Sequence, residues 1–407
     1  MGRYIVLPRE SQTDRYKQRD VRLDILSRKA QMEEVRSLRS RDPVNRAVRE
    51  WIGRCDPEAV TCLTTSKTDM PILSVEVVEM SDRYAERMRR EIPDILVIED
   101  TPLDPILPGQ SASSPNQSSA EADLWHLQAI GLQQARSQGF TGRGSGVTVA
   151  VLDTGIDASH PEIAGKVSSA WELDKMAGQL NLVHPSEDTD GHGTHVAGLI
   201  CGKQVGVAPD AKLASVLLLP GGKGNESDFI LALNSIIGQK ELAEEVVIVN
   251  VSAGIRSYSL GMHVAIRDLR RVGKLVIAAI GNEGQNIAWW PGAYMETLGV
   301  GASDRHKNVA KSSGGDENVN NQGYSKPDLV APGVGIYSCI KGGGYATKNG
   351  TSMAAAIVSG IAALILESRP TITDTELVNA LLASCEDLGE PADRQGRGLV
   401  HIPSRIL

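Results

Sequence analysis

Apolar and polar positions divide the chain into two unlike parts. From about residue 124 onward, short apolar runs alternate with helical patterns. Residues 147–152 (V-T-V-A-V-L), 212–219, 246–251 (V-V-I-V-N-V) and 274–280 read as strands, 193–201 as a helix, and 351–367 as a long helix of small residues. The strand runs are apolar at nearly every position, not every second one, which predicts a parallel sheet covered on both faces. In the first hundred residues, 3–7, 59–65, 71–80 and 94–100 read as strands. Between them, 14–41 places Val21, Ile25, Met32, Val35 and Leu38 at roughly helical spacing. A second, shorter helix begins at Ser81-Asp82, with Tyr84, Ala85 and Met88 as its inner face. The resulting order, β-α-β-β-α-β, predicts a small ferredoxin-like α+β sandwich.

The parts are separated by P-L-D-P-I-L-P-G-Q-S-A-S-S-P-N-Q-S-S-A-E-A, residues 102–122, rich in Pro, Ser and Gln with little to bury. Such a stretch predicts an extended linker. The expected organisation is a domain at 1–101, a linker at 102–122 and a larger α/β domain at 123–407.

Charge sharpens the division. Residues 1–100 carry as many Lys and Arg as Asp and Glu, so the net charge of −8 belongs wholly to the remainder. Residues 1–54 are locally basic, which suits docking onto an acidic partner domain and equally suits an Arg-rich solvated helix face. An overall pI of 5.6 argues against nucleic-acid binding. The N-terminus lacks the pattern of a signal peptide, and no stretch is expected to reach the length and apolarity of a membrane span. Cys55, Cys62, Cys201, Cys339 and Cys385 are scattered without metal-site spacing, and read as free thiols in a reducing, cytoplasmic compartment.

Candidate chemistry sits in four phrases. Asp153, in V-A-V-L-D-T-G-I-D, lies at the end of a buried strand, where an open parallel sheet presents its ligand-binding edge. Taken alone it could also cap a turn. His192 stands between two glycines in D-G-H-G-T-H, leaving an imidazole free to meet a carboxylate on one side and a nucleophile on the other. His195, three residues on, leaves a shared metal as the competing reading, although the H-E-x-x-H pattern is absent. Ser352, in N-G-T-S-M-A-A-A, opens the long helix, where the helix dipole and its own N–H favour a developing oxyanion; a plain N-cap fits the same position. Asn282, in A-A-I-G-N-E-G, offers an amide donor or an ordinary turn.

Together these phrases resemble the subtilisin-like serine proteases (subtilases), in the family's chain order Asp, His, Ser. The resemblance spans about residues 123–402. It implies a three-layer α/β fold with a central parallel sheet and an acyl-transfer endopeptidase acting on protein or peptide substrates. Asp153, His192 and Ser352 would be the triad, Asn282 the oxyanion donor and His195 a structural residue. Ser252, Ala253 and Gly254 would pair with substrate as an added strand. Ala278, Ala279, Ile280 and Gly281 would line the first specificity pocket. The N-terminal domain is similar in pattern to subtilase propeptides, whose last strand leads into a tail that occupies the cleft; here the tail would be residues 101–108. That implies an intramolecular inhibitor and a latent enzyme.

The chain departs from the pattern in places. Ala354-Ala355-Ala356 runs on where relatives carry proline. The segment 199–206 is too short for the tight calcium loop of many relatives, so no cofactor or metal is expected to be required, with weaker calcium sites left open. Trp289-Trp290 stands where smaller residues often floor the pocket, and either narrows it or packs in the core. A polar loop, 311–322, has no assigned role. Val196 follows His195 where thiol-dependent relatives have cysteine, so no thiol dependence is expected. The alternative of another class is a non-catalytic binding protein that kept the fold.

Overall fold

The computed structural model describes residues 1–9, 42–64, 75–106, 124–175 and 177–403. The helix expected at 14–41 and the start of the strand at 71–80 lie outside them. Strands β1 (Gly2–Pro8), β2 (Val60–Cys62), β3 (Glu76–Met80) and β4 (Ile95–Glu99) form an antiparallel sheet in the order β2-β3-β1-β4. Helix α1 (Pro43–Gly53) joins β1 to β2 and helix α2 (Asp82–Glu91) joins β3 to β4. Sequence reading missed α1, although its signals are local: the Asp42 side chain accepts from the N–H groups of Val44 and Asn45, and Pro43 begins the helix. Tyr4, Val6, Val78 and Met80 turn inward against Val48, Trp51, Ala85 and Met88. The alternate residues Ile5, Leu7 and Val77 face the other way, onto the larger part of the molecule.

From Pro102 the chain enters a short strand, β5 (Pro102–Pro105), described below. The large sheet contains β6 (Thr148–Asp153), β7 (Val167–Asp174), β8 (Gln179–Leu182) and β9 (Lys212–Leu217). It continues with β11 (Val246–Val251), β13 (Leu275–Ala279), β14 (Leu298–Ser303) and β15 (Leu329–Pro332). Across the sheet the order is β15-β14-β13-β11-β6-β9-β7-β8, parallel except for β8, with short strands Cys385–Glu386 and Leu399–Val400 beyond β15. Short strands β10 (Gly224–Asn225) and β12 (Ala253–Gly254) lie outside this sheet, as does a hairpin of Ile336–Ile340 and Gly344–Lys348.

Both faces are covered, as the unbroken apolar runs require. Val149, Val151, Ile277 and Ala279 join the core under α3 (His192–Cys201) and α6 (Thr351–Ser368). Ala150, Leu152, Val276 and Ala278 join the core under α4 (Glu226–Gly238) and α5 (Leu260–Arg271). Helix α6 corrects one expectation. With a mean hydropathy of 1.6 over 18 residues it is long and apolar enough to cross a membrane by composition, yet 89% of it is buried inside the fold as the central helix.

The N-terminal sheet docks on α4 and α5 through charge as well as apolar contact. Arg3 pairs with Glu79 at 3.0 Å and with Asp228 at 2.7 Å, and donates to the Lys175 carbonyl. Asp100 accepts from the N–H (2.8 Å) and hydroxyl (2.6 Å) of Ser227, closing the first turn of α4. Beside it, buried Glu226 accepts from Ser259 and from the Met262 N–H at the start of α5. Burial, with the negative Asp100 nearby, pushes Glu226 from the ordinary 4.5 up to about 7, and burial raises Asp100 too. A carboxyl raised in the folded state binds its proton more tightly there, so its contribution is fully present below about 4.5 and is lost as pH rises through about 7. Glu226→Gln, which removes the charge and keeps the acceptor, should therefore gain in Tm relative to the unsubstituted protein between pH 5 and pH 8. Calorimetric melts at the two pH values check this, and an unchanged difference would refute it.

Candidate active site

Strand β6 ends at Asp153, β13 leads into Gly281-Asn282, and α3 and α6 begin at His192 and Thr351. All four termini meet at the carboxyl edge of the parallel strands, where loops converge and backbone groups are left for ligands. The structure brings the three sequence-predicted residues into one buried group: Asp153 and His192 are 1% exposed and Ser352 is fully buried.

His192 Nδ1 lies 2.8 Å from Asp153 Oδ1 and 3.0 Å from Oδ2, which holds the ring with Nε2 turned away from the carboxylate. The approach depends on glycine. A Cβ at Gly193 would lie 2.0 Å from the carbonyl oxygen of Gly155 and 3.3 Å from Asp153 Cβ, so no larger residue fits beside the histidine. His195 is fully buried, with Nε2 3.1 Å from the Ala346 carbonyl oxygen, and burial pushes its pKa well down. That is a structural position, and no group of three or more His, Cys, Asp or Glu side chains able to hold a metal occurs among the described residues.

Sequence reading missed Asp188. Its Oδ1 accepts from the N–H groups of Gly191 (2.7 Å) and Asp190 (2.9 Å) and from the Thr154 hydroxyl, and its Oδ2 accepts from the Thr194 N–H and hydroxyl. One carboxylate thus satisfies the open first turn of α3 and ties it to the residue after Asp153. Its signal was an Asp just upstream of a helix start, the usual place for a carboxylate at the positive end of the dipole.

Ser352 does not bond to His192 here. Its hydroxyl donates to the carbonyl oxygen of Ile106 at 3.0 Å, and His192 Nε2 is buried with no hydrogen-bond partner. Asn282 Nδ2 lies 3.5 Å from the same Ile106 oxygen. The amide is oriented by Thr351, whose N–H (2.9 Å) and hydroxyl (3.0 Å) both donate to Asn282 Oδ1. Thr351 was also missed, because its neighbour Ser352 drew the reading.

Ile106 follows β5, which lies between β10 and β12 in a three-stranded sheet. Leu103 pairs with Gly224, Pro105 with Ala253, and Asp104 with Gly254, all antiparallel, and Ile106 N–H donates to the Ser252 carbonyl at 3.0 Å. So the start of the stretch read as a linker, which was also expected to supply a tail in the cleft, forms the middle strand there over residues 102–105, and 107–122 lie outside the described residues. Leu103 and Ile106 are buried, at 1% and 2% exposure, whereas Asp104 faces out. Of the residues expected around the pocket, Ala253 and Gly254 pair with the inserted strand, and Ser252 meets it through its carbonyl. Ala279 shares the apolar cluster of Ile106. Ala278 and Ile280 point into the core on the opposite sheet face, because alternate residues of a strand point oppositely, and Gly281 contributes only backbone.

The short segment after α3 is held by hydrogen bonds. Glu162 accepts from the Gln204 N–H at 2.8 Å, and His126 Nε2 lies 2.9 Å from the Val205 carbonyl oxygen. The loop 311–322 packs behind the oxyanion segment, with Ser312 accepting from the Gly284 N–H and the Gly314 N–H donating to Gly281.

Residues 144–399 match the subtilase family. The chain is 35% identical over 283 residues to the alkaline elastase YaB of Bacillus sp. (strain YaB), covering 68% of each protein. It is 34% identical over 290 residues to subtilisin BL of Lederbergia lenta, covering 69% of this chain and 98% of that one. Subtilisin E of Bacillus subtilis (strain 168) is 33% identical over 293 residues, 70% of this chain and 71% of the relative. By these matches the chain belongs to the subtilase family of serine proteases, hydrolases acting on peptide bonds.

Proposed function

We propose that the protein is an intracellular serine endopeptidase held latent by its own N-terminal residues, and that Ile106–Leu107 is the first bond it cuts. The observation that carries this reading is the placement of one carbonyl. The oxygen of Ile106 lies between the Ser352 hydroxyl and the Asn282 amide, while its N–H is bound by Ser252. Main-chain pairing on both sides of β5 gives affinity with little demand on sequence, and two buried aliphatic side chains anchor it, each worth about 1.5–3 kcal/mol.

In the proposed mechanism the Ser352 hydroxyl rotates toward His192 Nε2, which takes its proton as Oγ bonds to the carbonyl carbon. Asp153 keeps the imidazole oriented and stabilises its charged form. The carbonyl oxygen gains negative charge between Asn282 Nδ2 and the backbone N–H of Ser352 at the positive end of α6. The proton then passes from Nε2 to the departing amide nitrogen as the C–N bond breaks, and water, activated by the same imidazole, releases the acyl group. The five cysteines, none of them in a disulfide, suit a reducing compartment.

Incubating the full chain and weighing its fragments tests the reading. The expected product is a cut after Ile106 that Ser352→Ala abolishes, together with loss of labelling by a fluorophosphonate. An intact chain with full peptidase activity would remove the inhibitory role, and equal labelling of both proteins would remove the nucleophile.

The Thr351 contacts carry a second prediction. Thr351→Val keeps the N–H donor but loses the hydroxyl, so the Asn282 amide is less well aimed. kcat for peptide hydrolysis should fall about tenfold with KM nearly unchanged, since the lost alignment acts only where charge develops. A loss seen in KM alone would refute it.

A further inference from the structure

On the reading of Ile106 as the attacked residue, its side-chain slot is bounded by β12, which pairs with the strand before it, and by residues 279–281, of which Ala279 shares its apolar cluster. In this chain an indole already occupies part of it. A Cβ at Gly281 would lie 2.7 Å from Trp289 Cδ1 and 3.1 Å from Cγ, and one at Gly254 would lie 3.5 Å from Cε3. The ring is therefore wedged between the same two glycine segments that flank Ile106.

It is also pinned. Trp289 Nε1 donates to Glu283 Oε2 at 3.1 Å, Glu283 pairs with Arg256, and the Arg256 guanidinium lies 5.3 Å from the ring centroid. The Trp289 N–H donates to the Ile280 carbonyl at 2.8 Å, fixing the backbone that carries the ring. Only 6% of Trp289 is exposed, and Ile106, Ala279 and Trp289 belong to one apolar cluster.

We propose that Trp289 is the specificity-determining residue of this protease. Its indole, clamped by Glu283 and Arg256, floors the pocket and restricts the residue at the cleaved bond to short aliphatic side chains such as Ala, Val and Ile. The inference rests on the reading of Ile106 as the residue whose carbonyl is attacked. A phenyl or phenol ring entering the slot must displace the indole, which breaks its hydrogen bond to Glu283 and its contact with Arg256. Isoleucine is short enough to stop above the ring. Trp290 beside it contributes little to the slot, since it joins the core on the opposite sheet face.

The test uses the full-length protein and peptides of the form Pro-Leu-Asp-Pro-X-Leu, with X varied over Ala, Val, Ile, Phe and Tyr. kcat/KM for Ile or Val should exceed that for Phe at least tenfold. Trp289→Gly should reverse the order, raising Phe at least tenfold. Should that variant not fold, the double substitution Arg256→Ala, Glu283→Ala loosens the clamp and should narrow the ratio. Labelling of the unsubstituted protein by a fluorophosphonate separates the two readings. Labelled protein that cuts the Phe peptide as fast as the Ile peptide overturns the role of Trp289 and leaves the proposed function standing. A chain that makes no cut after Ile106, or that makes it and then neither labels nor cleaves any peptide, overturns the proposed function, and this inference with it.

Discussion

The site depends on one close approach, the 2.8 Å contact between His192 Nδ1 and Asp153 Oδ1. An imidazole has two nitrogens with different duties, and its usefulness as a base depends on which one is committed elsewhere. Here the carboxylate takes Nδ1, and Gly193 is packed against the Gly155 carbonyl with no room for a side chain. Asp188 secures that packing from below: it spends one oxygen on the loop and Thr154, the other on the first turn of the helix that carries the histidine. The pair is thus braced from strand and helix at once, and motion in either would be felt at Nε2.

The N-terminal sheet adds a constraint of a different kind. Its apolar face joins the core beneath α4 and α5, while Asp100 caps α4 from outside the large domain and Arg3 neutralises Asp228. Three carboxyls, Asp100, Glu226 and Asp228, are gathered at this seam. Asp228 has cations on both sides in Arg3 and Lys175, and Glu226 has only hydrogen-bond donors, so burial falls hardest on Glu226. The seam is held by matched charge at one end and by a reluctant carboxyl at the other.

Much of this was legible in the sequence, for identifiable reasons. The parallel sheet followed from strand runs apolar at every position, because both faces are buried. Asp153, His192, Ser352 and Asn282 were visible because close approach demands glycine and small residues around them, which leaves a mark on sequence. Asp188 and Thr351 left marks that do not single them out, because a carboxylate before a helix and a threonine beside a serine have ordinary uses. Helix α1 was overlooked for a similar reason, its Asp-Pro start being a turn signal as well. Ala278 and Ile280 were misplaced because a segment can line a pocket with its backbone while its side chains serve the core. The Pro-rich composition of 102–122 suggested a linker, but a strand needs only N–H and C=O groups to pair, and Leu103, Asp104 and Ile106 supply the donors that the prolines lack.

If β5 is an inhibitor, as proposed, the contacts that bind it also bear on how it can sit in the cleft without being consumed at once. On the proposed reading, inhibitor and substrate would be held by the same main-chain bonds, so binding alone would not separate them. The difference lies in one proton. With the Ser352 hydroxyl donating to the Ile106 oxygen, its hydrogen points away from His192, and the imidazole nitrogen that should receive it stands unpartnered. Reaction would require the hydroxyl to give up that bond and turn, leaving the oxygen to Asn282, at 3.5 Å, and the helix N-terminus. On the proposed reading, latency here is a matter of which acceptor holds the serine proton, and any change that shortens the Asn282 contact would favour the turn.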